Sequence, residues 1–226
     1  MPERVRGQAL SPSAVSDCYD RLGPRLDLLG FHGMPSVNDL IAHADFEDAQ
    51  SVFEFGCGTG RFAARLFDQY LPPGAQYLGC DASPVMIALT QKRLAPHARQ
   101  AQVVPSGVPL RFPLLDQEAD RIVSVFALDL LAEADVAQFF EEAHRCLSAQ
   151  GKVCLASLHR GASVPSRVVS GAWTALFNRR PALVGGCRAI DLNPFIDRHR
   201  WQVAHRRIAA PFLVASEVWV LERRTA

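Results

Sequence analysis

The sequence predicts an α/β fold: a doubly wound, seven-stranded sheet that is mostly parallel and ends in an antiparallel C-terminal hairpin. Three observations predict it. Short apolar runs alternate with helical segments from Val52 onward, the pattern of strands joined by crossover helices. A glycine-rich turn, Gly56-Cys57-Gly58-Thr59-Gly60, joins the first strand to a helix. The last two strand segments, 201–208 and 218–223, are only about nine residues apart. That is too few for a crossover, so they pair antiparallel.

The elements follow in order. Segments 11–22 and 36–46 read as helices that precede the first strand. The strand ends in Val52-Phe53-Glu54-Phe55, and a helix runs from Arg61 to Tyr70. Residues 76–80 form a second strand, with Asp81 at its end. Ser83-Pro84 supplies an N-cap and a first-turn proline for a helix over 85–94. Strands follow at 101–104 and 121–126, then a helix over 134–147 with Ala134, Ala137, Phe140 and His144 near one face. Segment 152–158, nearly all apolar, has the composition of a central parallel strand. Segment 166–178 reads as an amphipathic helix with Val169, Ala172, Trp173 and Leu176 on one face, followed by a loop over 181–188. A single domain is expected: N-terminal helices over 1–48, a strand–helix core over 49–158, a segment over 159–200 that lies above the carboxyl edge of the sheet and reads as an acceptor lid, and the hairpin over 201–226.

The turn points to a nucleotide-like ligand, because glycines at alternate positions let backbone approach a ligand and adopt turn angles other residues resist. Exposed amides at the following helix start favour electron-rich atoms. A dinucleotide fingerprint needs G-x-G-x-x-G; here Arg61 stands where its last glycine belongs. Glu54, just before the turn, opposes a pyrophosphate and suits a cation. S-adenosylmethionine carries an ammonium and a sulfonium and no phosphate, so the charge logic favours it. Asp81, 21 residues after Gly60, stands where a carboxylate accepts both hydroxyls of an adenosyl ribose.

With these residues in place, the chain resembles the class I S-adenosylmethionine-dependent methyltransferases, a Rossmann-like family, and within it the ubiquinone/menaquinone-biosynthesis (type 11) group. The resemblance rests on Glu54-Phe55-Gly56-Cys57-Gly58-Thr59-Gly60 and Cys80-Asp81-Ala82-Ser83-Pro84-Val85-Met86. It extends to Leu110-Arg111-Phe112-Pro113, to 118–123, and to Glu142, Arg145, Leu147 and Gly151. It implies that Glu54 orients the donor near its amino group, that Gly56, Cys57, Gly58 and Gly60 make room for its carboxylate and sugar, and that Asp81 clamps the ribose. Ala82 and Met86 would pack on adenine, Ser106 and Gly107 would face its edge, and Ala127 would line the methionine part. Ser106 stands where the family usually has an aspartate; its hydroxyl accepts the same hydrogen bond without charge assistance. Tyr19 falls where many members place an aromatic near the methyl donor, and the N-terminal helices where they form a cap.

Composition sets outer bounds. With 226 residues, 49% hydrophobic and 21% charged, the chain fits a globular domain. No apolar run reaches membrane-span length, and Met1-Pro2-Glu3-Arg4 lacks the apolar core of a signal peptide, which gives a cytoplasmic expectation. The six cysteines and seven histidines are scattered, with neither C-x-x-C nor H-E-x-x-H. No metal site is therefore expected, and the cysteines read as reduced small residues. Net charge is +1 but uneven: residues 1–150 carry 12 basic and 19 acidic side chains, whereas 151–226 carry 12 basic and 4 acidic. A basic tail suits a solvated surface, nucleic acid or anionic lipid.

Methyl transfer is an in-line displacement, so alignment and exclusion of water supply most of the catalysis. A general base is needed only if the acceptor must lose a proton. His159 and Asp129, at the ends of strands five and four, are the candidates, with His159 favoured because imidazole titrates near neutral pH. The leading reading is methyl transfer to a small-molecule or lipid-like acceptor. Alternatives are a phospholipid N-methyltransferase in peripheral contact with a membrane, and a non-catalytic cofactor-binding scaffold on the same fold. The near-zero net charge and the lack of an N-P-P-Y-like motif argue against nucleic acid as substrate. The sequence leaves the oligomeric state open.

Overall fold

The computed structural model describes residues 34–161, 163–179, 187–210 and 214–224, with Ala14, Ser16, Asp17, Tyr19 and Asp20. Helix α1 (Met34–His43) precedes β1 (Ser51–Phe55), α2 (Arg61–Gln69), β2 (Gln76–Asp81), α3 (Pro84–Arg93) and β3 (Ala101–Pro105). Then come β4 (Ala119–Val125), α4 (Glu133–Cys146), β5 (Leu147–Leu158), α5 (Val164–Arg179), β6 (Trp201–Ala209) and β7 (Ser216–Arg223). The sheet order is β3-β2-β1-β4-β5-β7-β6. The first five strands run parallel, β7 is antiparallel to β5, and β6 is antiparallel to β7. The predicted doubly wound sheet and its reversed hairpin are both present.

Both sheet faces are buried, as strand alternation requires. Phe53, Phe55, Val153, Leu155, Trp219 and Leu221 point into one core with Phe112 and Phe139. Val52, Cys154, Ala156, Val218 and Val220 point into the other with Leu40, Phe46, Phe62 and Leu66. Glu54 lies on this second face. Helix α1 covers it over β5, β6 and β7: Leu40, Ile41 and Ala44 pack there, and Asp39 Oδ1 accepts from Arg207 Nη1 at 2.9 Å. α1 is thus a layer of the sandwich. Of the predicted helix over 11–22, the described residues are helical.

Two helices bury only part of the stripe that the sequence spacing marks. In α4 the buried side chains are Val136, Phe139, Phe140, Glu142, Ala143 and Cys146, while Ala134 and Ala137 face out. Large aromatics outcompete alanines for the core. In α5, Ser166 and Phe177 are buried and Val169 and Trp173 half-buried, whereas Ala172 and Leu176 are exposed. Strand β5 begins at Leu147, five residues earlier than expected, because Leu147 pairs with Ala119 before the register shifts to Arg121–Lys152. Gly151 permits this: a Cβ there would lie 2.7 Å from Leu147 Cδ1 and 3.0 Å from the Asp120 carbonyl.

The Glu142–Arg145 pair fixes the segment leading into β4. Glu142 Oε2 accepts from the Phe112 N–H at 2.9 Å and from Arg145 Nη2 at 2.6 Å, and Arg145 Nη1 donates to the Leu114 carbonyl at 3.0 Å. The Arg145 guanidinium holds the Glu142 carboxyl below its usual range. This passage is scaffold, and it lies away from the turn in sequence.

Candidate functional site

The strand order reverses between β1 and β4, and open α/β sheets bind ligands at the carboxyl edge beside such a reversal. The turn after β1 lies there. Gly56, Gly58 and Gly60 all have positive φ, at 75°, 55° and 73°, which explains glycine at each. Their tasks differ. A Cβ on Gly56 would lie 2.2 Å from the Ala127 Cβ, and one on Gly60 would lie 2.7 Å from Thr90 Cγ2. Those two glycines let the turn pack against the end of β4 and against α3. Among the described residues, a Cβ on Gly58 would have no atom within 4 Å, so there, unlike at Gly56 and Gly60, the turn borders open space.

Asp81 ties the turn to β2. Its Oδ2 accepts from the Gly58 N–H and its Oδ1 from the Ser83 N–H, both at 2.9 Å. The Ser106 N–H donates to the Asp81 carbonyl at 2.8 Å, which brings the end of β3 alongside. A carboxylate has about four acceptor positions, so the backbone amides of Gly58, Ser83 and Ala82 do not exhaust its capacity for ligand hydroxyls. Burial pushes the Asp81 carboxyl up, and the Ser83 and Gly58 amides pull it back. Ser83 caps α3 as predicted, its Oγ accepting from the Met86 N–H at 3.1 Å. It also donates to Asp20 Oδ1, and Ser16 Oγ donates to the Ala82 carbonyl at 3.2 Å. Ser16 and Asp20 therefore lie at the carboxyl edge, and Tyr19 reaches Cys187 Sγ at 3.4 Å.

The other expected donor contacts divide. Ala82 and Gly107 are exposed, and Ser106 is half-buried. Met86 is fully buried, so its side chain supports the site from behind. Cys57 is buried with its thiol near Thr90 Oγ1 at 3.8 Å, and burial pushes that thiol up, which rules it out as a nucleophile. Glu54 is only 2% exposed and accepts from the Tyr77 hydroxyl at 2.7 Å. Burial pushes its carboxyl up to about 8, with the Tyr77 bond opposing and Asp81 reinforcing the shift. Burial thus favours the protonated form of Glu54 and weakens the attraction it offers a cation.

Tyr77, Gly79 and Thr90 are site-building residues that the sequence reading passed over. Glu54 pairs with Gly79 across β1 and β2, and a Cβ on Gly79 would lie 2.7 Å from the Tyr77 hydroxyl. The missing side chain leaves the slot through which Tyr77 reaches Glu54. The available signal was Tyr and Gly two apart on the strand opposite Glu54. Thr90 Oγ1 donates to the Gly58 carbonyl at 2.7 Å and holds the turn from α3.

The two candidate bases are linked. Asp129 is fully buried, and its Oδ2 accepts from the Leu158 N–H at 2.9 Å, one residue before His159. Burial pushes its carboxyl well up. Asp129 thus anchors the end of β5 and has no solvent-facing surface. His159 is half-buried, and its Nδ1 accepts from the Gly161 N–H at 3.1 Å. With Nδ1 occupied, the neutral ring carries its proton on Nε2. His159 and Leu158 line a cleft of about 20 Å³ under α5 with Val169, Trp173, Ala189 and Ala215.

Residues 52–151 match the family described as a methyltransferase domain. The uncharacterized methyltransferase YrrT of Bacillus subtilis is 28% identical over 141 residues, a match spanning 61% of this chain and 61% of that protein. The cyclopropane synthase MmaA2 of Mycobacterium tuberculosis superposes with a TM-score of 0.69 at 16% identity, covering 96% of this chain and 99% of that one. The [4+2]-cyclase SpnF superposes with a TM-score of 0.69 at 12% identity, covering 96% and 98%. At such identities the two structures show a shared fold, and their differing reactions leave the chemistry to the site. Among the described residues, no helix is long and apolar enough to cross a membrane.

Proposed function

We propose that this chain transfers a methyl group from S-adenosylmethionine to a small-molecule or lipid-like acceptor. The observation that carries the reading is the open cradle at Gly58, bonded through its N–H to Asp81, inside the stretch that matches a methyltransferase domain. The residues fit the donor: Asp81 retains acceptor capacity for ribose hydroxyls, and a Cβ-sized space opens beside the turn. When bound, the donor supplies an electrophilic methyl on a sulfonium. Asp81 fixes the sugar, the turn backbone at Gly58 flanks the remainder, and Tyr77 holds the Glu54 carboxyl in one position behind the turn.

On the acceptor side, His159 faces the cleft under α5. Its Nε2–H is suited to donate to an acceptor heteroatom; taking a proton instead requires the ring to release the Gly161 N–H. Asp129 serves as a positioning residue through the Leu158 amide. At about 20 Å³ the cleft holds roughly one water molecule. On this reading α5, part of the lid expected over residues 159–200, moves outward to admit an acceptor beside His159. The finer group membership, the ubiquinone/menaquinone type, rests on the sequence resemblance, and the apolar lining of the cleft suits an acceptor of that character. Calorimetric titration with S-adenosylhomocysteine tests the reading. Asp81→Ala is expected to weaken binding at least tenfold, about 1.4 kcal/mol; unchanged affinity in a folded variant would sink it.

A further inference from the structure

Helix α5 presents an unusual outer surface. Val164 is 72% exposed, Val168 67% and Leu176 40%, half of the large hydrophobic side chains exposed among the described residues. Gly171, Ala172 and Ala175 lie exposed between them. At helical spacing these residues form one stripe. The helix VPSRVVSGAWTALFNR contains no acidic residue, and its exposed charges are Arg167 and Arg179. A water-facing helix ordinarily carries charged residues of both signs on this side. Trp173 plays no part in the outer face: it turns inward, and its Nε1 donates to the Cys187 carbonyl at 3.0 Å.

We propose that α5 is an interfacial helix by which the protein binds an anionic lipid surface. Charge selects this occupant. Exposed aliphatic side chains flanked by arginines match the boundary between acyl chains and anionic headgroups. A second copy docked by the same face across a two-fold axis would set arginines against arginines. The inner face of α5 lines the His159 cleft, so a helix seated at the interface places that cleft beside an apolar phase. The proposal stands whatever the methyl acceptor, because it concerns binding alone.

The test is co-sedimentation of the full chain with vesicles of phosphatidylcholine containing phosphatidylserine and with vesicles of phosphatidylcholine alone. Binding is expected only to the former and should weaken in high salt. The double variant Val168→Glu/Leu176→Glu should lower the bound fraction roughly tenfold or more, and Arg179→Glu should lower it less. All three positions are exposed, so melting temperature and calorimetric donor affinity should stay unchanged. Absence of wild-type binding, or equal binding by the double variant, would overturn the proposal. So would a dimer in light scattering that depends on Val168 and Leu176 while vesicles are ignored, which would assign the face to a second copy.

Discussion

Replacing Gly58 by alanine separates a ligand cradle from an ordinary tight turn. The added methyl meets no atom of the described residues within 4 Å, so the main cost to the folded state is an L-residue at φ 55°. That costs about 1 kcal/mol, a fall of roughly 2–4 °C in melting temperature for a chain of this size. The same methyl enters the space in which the donor is expected to lie, so affinity should fall at least tenfold, about 1.4 kcal/mol. Gly56→Ala is the control, because its methyl would lie 2.2 Å from the Ala127 Cβ. Overpacking and strain together should cost about 3 kcal/mol there. Urea unfolding reads the stabilities and calorimetry with S-adenosylhomocysteine reads affinity. A Gly58→Ala protein that binds like wild type refutes the cradle; one as unstable as Gly56→Ala refutes the claim of open space.

Glu54 makes folding stability pH-dependent. Its folded value of about 8 exceeds the ordinary 4.5, so its contribution is intact below 4.5 and is lost as pH rises toward 8. The slope in that window reaches at most about 1.4 kcal/mol per pH unit, and the upward shifts of Asp81 and Asp129 act in the same sense. Glu54→Gln should therefore flatten the decline measured by urea unfolding between pH 5 and about 8, and an unchanged slope would remove Glu54 from the account. Asp81→Ala has a second consequence, since it strips the acceptor from the Gly58 and Ser83 amides. A stability loss of about 2 kcal/mol should accompany its loss of donor affinity, and a stability equal to wild type would deny those two bonds their role.

What was legible in the sequence was local. Ser83-Pro84 announced a helix start because an N-cap acts within three residues, and Ser83 does accept the Met86 N–H. The strands were legible because apolar runs reflect burial on both sheet faces, and Asp81 because strand ends position side chains predictably. What escaped depends on partners far apart in the chain. Nothing near Gly56 says that it meets Ala127, or that Gly58 alone of the three glycines borders open space. Glu54 reads as an available charge in the sequence; only the packing of Tyr77 through the Gly79 slot shows it buried, which raises its carboxyl. Asp129 looked like a base, yet its depth and its bond to the Leu158 amide make it an anchor. The stripes on α4 and α5 were legible only in part: Phe140, Val169 and Trp173 turn inward, while the alanines and Leu176 do not, because spacing identifies a stripe and side-chain volume decides how much of it is buried.

The central claim is that the Gly58–Asp81 turn holds S-adenosylmethionine and not a dinucleotide. Parallel calorimetric titrations of the wild-type chain with S-adenosylmethionine and with NAD test it most directly. Saturable one-site binding of S-adenosylmethionine, with no heat from NAD, is the predicted result. Binding of NAD, or no response to S-adenosylmethionine by a folded protein, would contradict it.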